Sequence, residues 1–266
     1  MPYLTQNDIR LHHTDEGNGE PVLLIHGYPL SHAMWQPQRA ALSAGYRVIA
    51  PDLRGHGLSD APTGPITVDV FADDLAALLD ALGIGQATVM GLSMGGYVTM
   101  ALLRRHPQRI RAVALLATKM TADTATGRQG RNEMIILART EGAAAIADAM
   151  LPKMLTEATR SDNPELAAHV HGMMAATPVA GIVGALEALR ERPDATATLA
   201  AARLPALIVV GENDGVTPPS EAEAMQRTLP GAQLVRIPAA AHLLTLEQPA
   251  AVNEALGAFL GGLAGM

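Results

Sequence analysis

The sequence predicts an α/β fold: a mostly parallel, eight-stranded sheet flanked by helices, with an all-helical segment inserted late in the chain. Three observations carry this. Short apolar runs at 21–25, 46–50, 87–90, 110–117, 205–210 and 233–237 are separated by helical segments in most of the gaps, the pattern of strands joined by crossover helices. Most of these runs are apolar throughout rather than alternating, as parallel strands covered on both faces require. From 119 to about 202 strand candidates stop and only helical spacing remains.

Residues 2–5 and 8–14 read as antiparallel edge strands around Gln6-Asn7, closed by the polar, glycine-containing run 15–19. His12 and His13 point to opposite faces there and read as structural or surface residues. The strand at 21–25 runs into His26-Gly27-Tyr28-Pro29. A sharp turn at that point sets the Tyr28 backbone N–H at the carboxyl end of the sheet, where ligands bind in open α/β sheets. His26, before a glycine in a tight loop, reads as a partner of loop backbone and not as a base. Residues 31–43 read as a helix carrying Trp35, the only tryptophan. The strand at 46–50 ends in Pro51-Asp-Leu-Arg-Gly-His-Gly-Leu-Ser-Asp60, a loop that needs internal hydrogen bonds, so Asp52, Arg54 and His56 read as its scaffold. In 68–82, Val68, Phe71, Leu75, Leu78, Leu79 and Leu82 recur at helical spacing and put Asp73 and Asp74 on the wet face.

The run Ala87 to Met90 then meets Gly91-Leu92-Ser93-Met94-Gly95-Gly96, and helical spacing resumes after Tyr97. Strand, tight turn and helix around Gly-x-Ser-x-Gly form a nucleophile elbow: glycines let strand and helix approach while the serine takes a strained backbone that lifts its hydroxyl clear. Such a hydroxyl is a weak nucleophile at neutral pH, so Ser93 needs a base, an acid to orient it and amides for an oxyanion. After the strand at 205–210, Gly211-Glu-Asn-Asp-Gly-Val-Thr-Pro218 offers Glu212 and Asp214. Asp214 is favoured because its Asp-Gly turn can project the carboxylate toward the last loop. That loop, 238–244, follows the strand at 233–237 and precedes the closing helix at 249–260. It carries His242, the histidine that completes the chain order Ser, Asp, His. The backbone N–H groups of Met94 and Tyr28 are the expected oxyanion donors, and Tyr28, Pro29, Trp35, Met94 and Leu243 the expected pocket wall.

The expected domains are a core at 1–119 and 203–266 and a helical cap at 120–202, with helices near 128–140, 142–155, 164–176 and 179–190. Met134, Met150, Met154, Met173 and Met174 lie in it, and flexible thioethers suit either core packing or an adaptable apolar pocket. A net charge of −7, with no basic cluster beyond Arg104-Arg105, argues against nucleic acid or anionic membrane as the main partner. The absence of cysteine excludes disulfides and thiolate metal sites. No uninterrupted apolar run approaches the ~18 residues of a membrane helix, and the first residues lack a basic start and apolar centre, so the expected location is cytoplasmic.

With His26-Gly-Tyr-Pro29, the 51–60 loop, Gly91-Leu-Ser-Met-Gly-Gly96, the 211–218 turn and Ala241-His242 in one order, the sequence resembles an α/β-hydrolase fold enzyme from nearly end to end, least in the cap. The resemblance implies a serine hydrolase with neither metal nor organic cofactor, acting on a small ester or lactone and water. Ser93, where dehalogenases and epoxide hydrolases of the fold carry aspartate, argues against both. The Tyr28-Pro29 and Ser93-Met94 pairs look most like small bacterial carboxylesterases and cofactor-free haloperoxidases, esterases with perhydrolase activity. Ser-Met-Gly-Gly also resembles enol-lactone hydrolases and the carbon–carbon bond hydrolases of aromatic degradation, although the longer glycine-rich oxyanion loop of the latter is missing. A ligand-binding protein that keeps the triad for capture without turnover is a further reading.

Overall fold

The computed structural model describes residues 3–6, 9–61 and 64–263. Pro2, Asn7 and Asp8, expected in the first strands and their turn, lie outside these described residues. The strands are β1 (Tyr3–Gln6), β2 (Ile9–Glu16), β3 (Pro21–Ile25), β4 (Arg47–Pro51), β5 (Ala87–Leu92), β6 (Ile110–Leu116), β7 (Ala206–Gly211) and β8 (Gln233–Ile237). They form one sheet in the order β1-β2-β4-β3-β5-β6-β7-β8. Only the β1–β2 and β2–β4 pairings are antiparallel, and the other five are parallel. Every residue of β5 and β7 is buried, as their unbroken apolar runs require.

The helices are α1 (Gln36–Leu42), α2 (Val68–Ala81), α3 (Met94–Arg105), α4 (Ala125–Met154), α5 (Glu157–Asp162), α6 (Pro164–Ala175), α7 (Val179–Arg190), α8 (Thr196–Ala201), α9 (Pro219–Thr228), α10 (Leu244–Glu247) and α11 (Pro249–Leu263). Alternate strand residues feed two apolar clusters, one on each face of the sheet. Leu23, Ile25 and Val89 pack with Phe71 and Leu75 of α2 and Leu102 of α3. Val22, Leu24 and Met90 pack with Leu42 of α1 and Leu256 and Leu260 of α11. Both clusters continue into the helices between β6 and β7, through Ile135, Ile146 and Ile182 on one side and Met154, Val170 and Met174 on the other. No single described helix is long and apolar enough to cross a membrane.

Two local expectations need correction, one is met across a kink, and three short helices are new. Trp35 ends a 3-10 turn, His32–Trp35, and α1 starts only at Gln36, with Pro37 in its first turn. Asp74 is not on the wet face of α2: it is 3% exposed and receives both Nε and Nη2 of Arg54 at 2.6 Å, so a carboxylate in the 51–60 loop's scaffold comes from outside that loop. The helices expected at 128–140 and 142–155 are the two halves of α4, which is broken where Gly142 takes φ 85°, ψ −174°. The six-residue α5 and α8 and the four-residue α10 had no counterpart in the periodicity, being too short to show one.

Candidate active site

The turn between β5 and α3 sets Ser93 at φ 55°, ψ −111°, a conformation that side-chain-bearing residues avoid and that here needs outside support. Its N–H extends the ladder to the Leu116 carbonyl at 2.9 Å, and its carbonyl accepts the Thr118 hydroxyl at 2.9 Å. A Cβ at Gly91 would strike the Gly95 carbonyl and the Thr99 hydroxyl, and one at Gly95 would strike the Ile25 and His26 carbonyls. Only glycine fits where helix, elbow strand and β3 approach this closely. Among residues 91–100 Ser93 alone is not buried.

The loop after β8 brings His242 over the elbow, with Nε2 2.8 Å from Ser93 Oγ and Nδ1 2.8 Å from Asp214 Oδ2. The carboxylate fixes the tautomer: Nδ1–H donates to Asp214, so Nε2 is left to accept the Ser93 hydroxyl proton. Asp214 is itself bound by the N–H groups of Val216 (2.8 Å) and Thr217 (3.0 Å) at Oδ1 and by the Thr217 hydroxyl at Oδ2 (2.8 Å). Burial alone would raise its carboxyl. The hydrogen bonds from His242 and Thr217 outweigh burial and hold it below the usual carboxylate range. Glu212, the competing acid, is exposed.

The 26–29 loop lies against the elbow, a Cβ built on Gly27 falling 3.5 Å from Ser93 Cβ. The N–H groups of Tyr28 and Met94 find no acceptor among the described residues. Met94 opens α3, so its amide is an orphan by position and carries the positive end of the helix dipole. The Tyr28–Pro29 peptide is cis. Tyr28, Pro29, Trp35, Met94 and Leu243 are all buried, Tyr28 and Met94 in one apolar cluster and Trp35 and Leu243 in the other. Among the described residues the Tyr28 hydroxyl and the Trp35 indole N–H have no hydrogen-bond partner.

His26 holds backbone, as expected: Nδ1 lies 2.9 Å from the Gly27 carbonyl and Nε2 accepts the Leu53 N–H at 3.0 Å. Asp52 scaffolds its loop, taking the N–H groups of His32 (2.7 Å) and Leu58 (3.0 Å) and the Nδ1 atoms of His12 and His32 (both 2.9 Å). Ligand atoms of His12, His32 and Asp52 lie within 4.8 Å of one another, a metal-like spacing, but both carboxylate oxygens are committed to these bonds. Sequence reasoning missed four residues around the site. Thr217 had a signal in the Asp-Gly-Val-Thr turn, since aspartate commonly accepts N–H groups two and three residues on. Thr118, Thr177, whose hydroxyl donates to the Pro29 carbonyl at 2.8 Å, and Glu247 act across the fold and had none.

Residues 20–249 match the model of the alpha/beta hydrolase fold family. The chain belongs to that family. It is 31% identical to 3-oxoadipate enol-lactonase 2 of Acinetobacter baylyi, over 97% of this chain and 95% of the relative. Among solved structures, a thermophilic esterase from Thermogutta terrifontis superposes with a TM-score of 0.95 at 39% identity, covering 98% of each chain. A bromoperoxidase from Bacillus anthracis superposes with a TM-score of 0.86 at 27% identity, covering 95% of this chain and 96% of that one. The protein is thus a hydrolase of this fold, with enol-lactonases, esterases and haloperoxidases as relatives.

Proposed function

We propose that the protein cleaves carboxylic esters of small to medium size through an acyl-enzyme on Ser93. The observation that carries this reading is the unbroken chain from Ser93 Oγ through His242 to Asp214, at 2.8 Å for each link. Ser93 Oγ attacks the ester carbonyl as Nε2 takes its proton, and Asp214 stabilises the imidazolium. The tetrahedral oxyanion lies against the Tyr28 and Met94 N–H groups. The imidazolium then protonates the leaving alcohol, and a water, deprotonated by the same nitrogen, releases the acid and restores Ser93. Residues 120–202 act as the cap, and Tyr28, Pro29, Trp35, Met94 and Leu243 line the pocket beneath it.

An enol-lactone is a cyclic ester that the same groups can open, and the end-to-end similarity to an enol-lactonase favours this as the second reading. If hydrogen peroxide replaces water at deacylation, a peracid leaves instead of an acid, the side activity that similarity to a bromoperoxidase suggests. The test is a panel of p-nitrophenyl esters, enol-lactones and an acid-plus-peroxide assay, with Ser93→Ala in parallel. Multiple turnover of short esters is expected, falling by several orders of magnitude in the variant, up to about 10⁶-fold. Lactone turnover far above ester turnover establishes the second reading, and unchanged turnover in Ser93→Ala refutes both.

A further inference from the structure

Glu247, the last residue of α10, lies outside the reacting groups, yet its carboxylate spans the seam between the His242 loop and the helical insertion. Oε2 accepts the N–H of Ala241, the residue before His242, at 2.6 Å, and Oε1 accepts the N–H of Thr156, between α4 and α5, at 2.7 Å. On the other side of His242, the Leu243 N–H donates to the carbonyl of Met154, the last residue of α4, at 2.9 Å. The backbone before and after His242 is therefore bonded to residues 154–156, once directly and once through Glu247. The same loop needs such ties: Ala239 sits at φ 53°, and the Ala240 carbonyl accepts the N–H of Asn213, next to Asp214, at 2.9 Å.

We propose that Glu247 is a positioning residue that makes docking of the insertion a condition for a correctly set His242. Two N–H donors converge on the side chain, and an ionised carboxylate is the group that accepts from both with charge-assisted bonds. When residues 154–156 lift away, the bonds at Thr156 and Leu243 break together and the base loses its register with Ser93. The device ties the reactive state of the triad to a closed insertion. It rests on the reading of Ser93, His242 and Asp214 as the reacting groups.

The test compares Glu247→Ala, Glu247→Gln, Thr156→Pro and Thr156→Ala on a short p-nitrophenyl ester and in the labelling rate of Ser93 by a fluorophosphonate. Thr156 has φ −60° after an extended Leu155, so proline fits and removes the N–H, while Thr156→Ala keeps it and loses only the hydroxyl that caps α5. Glu247→Ala should lower kcat by about 10- to 100-fold, with KM changed less than about threefold, and slow labelling in parallel, because small misplacements of a catalytic group cost that much. Glu247→Gln, keeping one acceptor, should fall between. Thr156→Pro should lose about tenfold more kcat than Thr156→Ala. If Glu247→Ala does not fold, the glutamine and proline variants carry the test. Glu247 variants within about twofold of the parent, or Thr156→Pro equal to Thr156→Ala, overturn the proposal. Turnover that survives Ser93→Ala marks failure of the triad reading instead.

Discussion

Asp52 and Asp214 show at the scale of single residues how a buried carboxylate stays charged. Burial pushes both carboxyls up, but converging donors win: His32 and the Leu58 amide at Asp52, His242 and Thr217 at Asp214. Asp52 is held far below its ordinary value of 3.8, so its contribution to stability is fully present above that pH and is lost as pH falls toward the folded value. Asp52→Asn should cost about 2–4 kcal/mol at pH 7, lowering Tm by about 5–10 °C. The gap to the parent should narrow in melts below about pH 3.8, where the unfolded chain takes up the proton that the folded carboxylate still refuses. An unchanged Tm at pH 7 contradicts the scaffold role. That Asp52 serves its own loop was legible because an irregular polar loop must satisfy its backbone locally. The Asp74–Arg54 pair and the Glu247–Thr156 contact were not legible, since these partners lie 20 and 91 residues apart and local spacing is silent about such contacts.

At the scale of elements, periodicity located the sheet strands to within a residue or two and read α4 as two helices meeting near Gly142. Among the described residues, nothing beyond its chain neighbours and its own helix backbone lies within 4 Å of a Cβ placed on that glycine, so only its backbone conformation opposes a side chain. Gly142→Ala should therefore cost about 1–3 kcal/mol, seen in urea as a lower midpoint with an unchanged slope. A neutral substitution would mean that the two halves of α4 join without the kink. The elbow was equally legible, because Gly91 and Gly95 are required by close backbone approach, a demand that shows directly as residue type. The helices α5, α8 and α10 are too short to show a period; α5 is fixed instead by its cap, the Thr156 hydroxyl accepting the Thr159 N–H at 3.0 Å.

At the scale of the whole molecule, several histidines are enclosed in the neutral form. Burial pushes His12, His13 and His26 down, and pushes His56, fully enclosed in the 51–60 loop, down to about 3. The unfolded chain takes up these protons near pH 6.5 while the folded chain refuses them, so stability is full above that pH and falls as pH drops toward 3. The loss should begin before the carboxylates titrate. Urea unfolding between pH 6 and 4 should show it, with His56→Gln reducing the slope by about 1.4 kcal/mol per pH unit; an unaltered slope contradicts a neutral, enclosed His56. The order of motifs along the chain was enough to assemble Ser93, Asp214 and His242 at one end of the sheet, because parallel topology puts successive strand ends together. The helices between β6 and β7 obey no such rule, and motif order says nothing about how they pack. The most direct test of the central claim is titration with a fluorophosphonate while following turnover of a short p-nitrophenyl ester. One label per chain, on Ser93, with activity falling in proportion and no label on Ser93→Ala, is the expected result. Full labelling with activity intact, or a label that maps elsewhere, contradicts it.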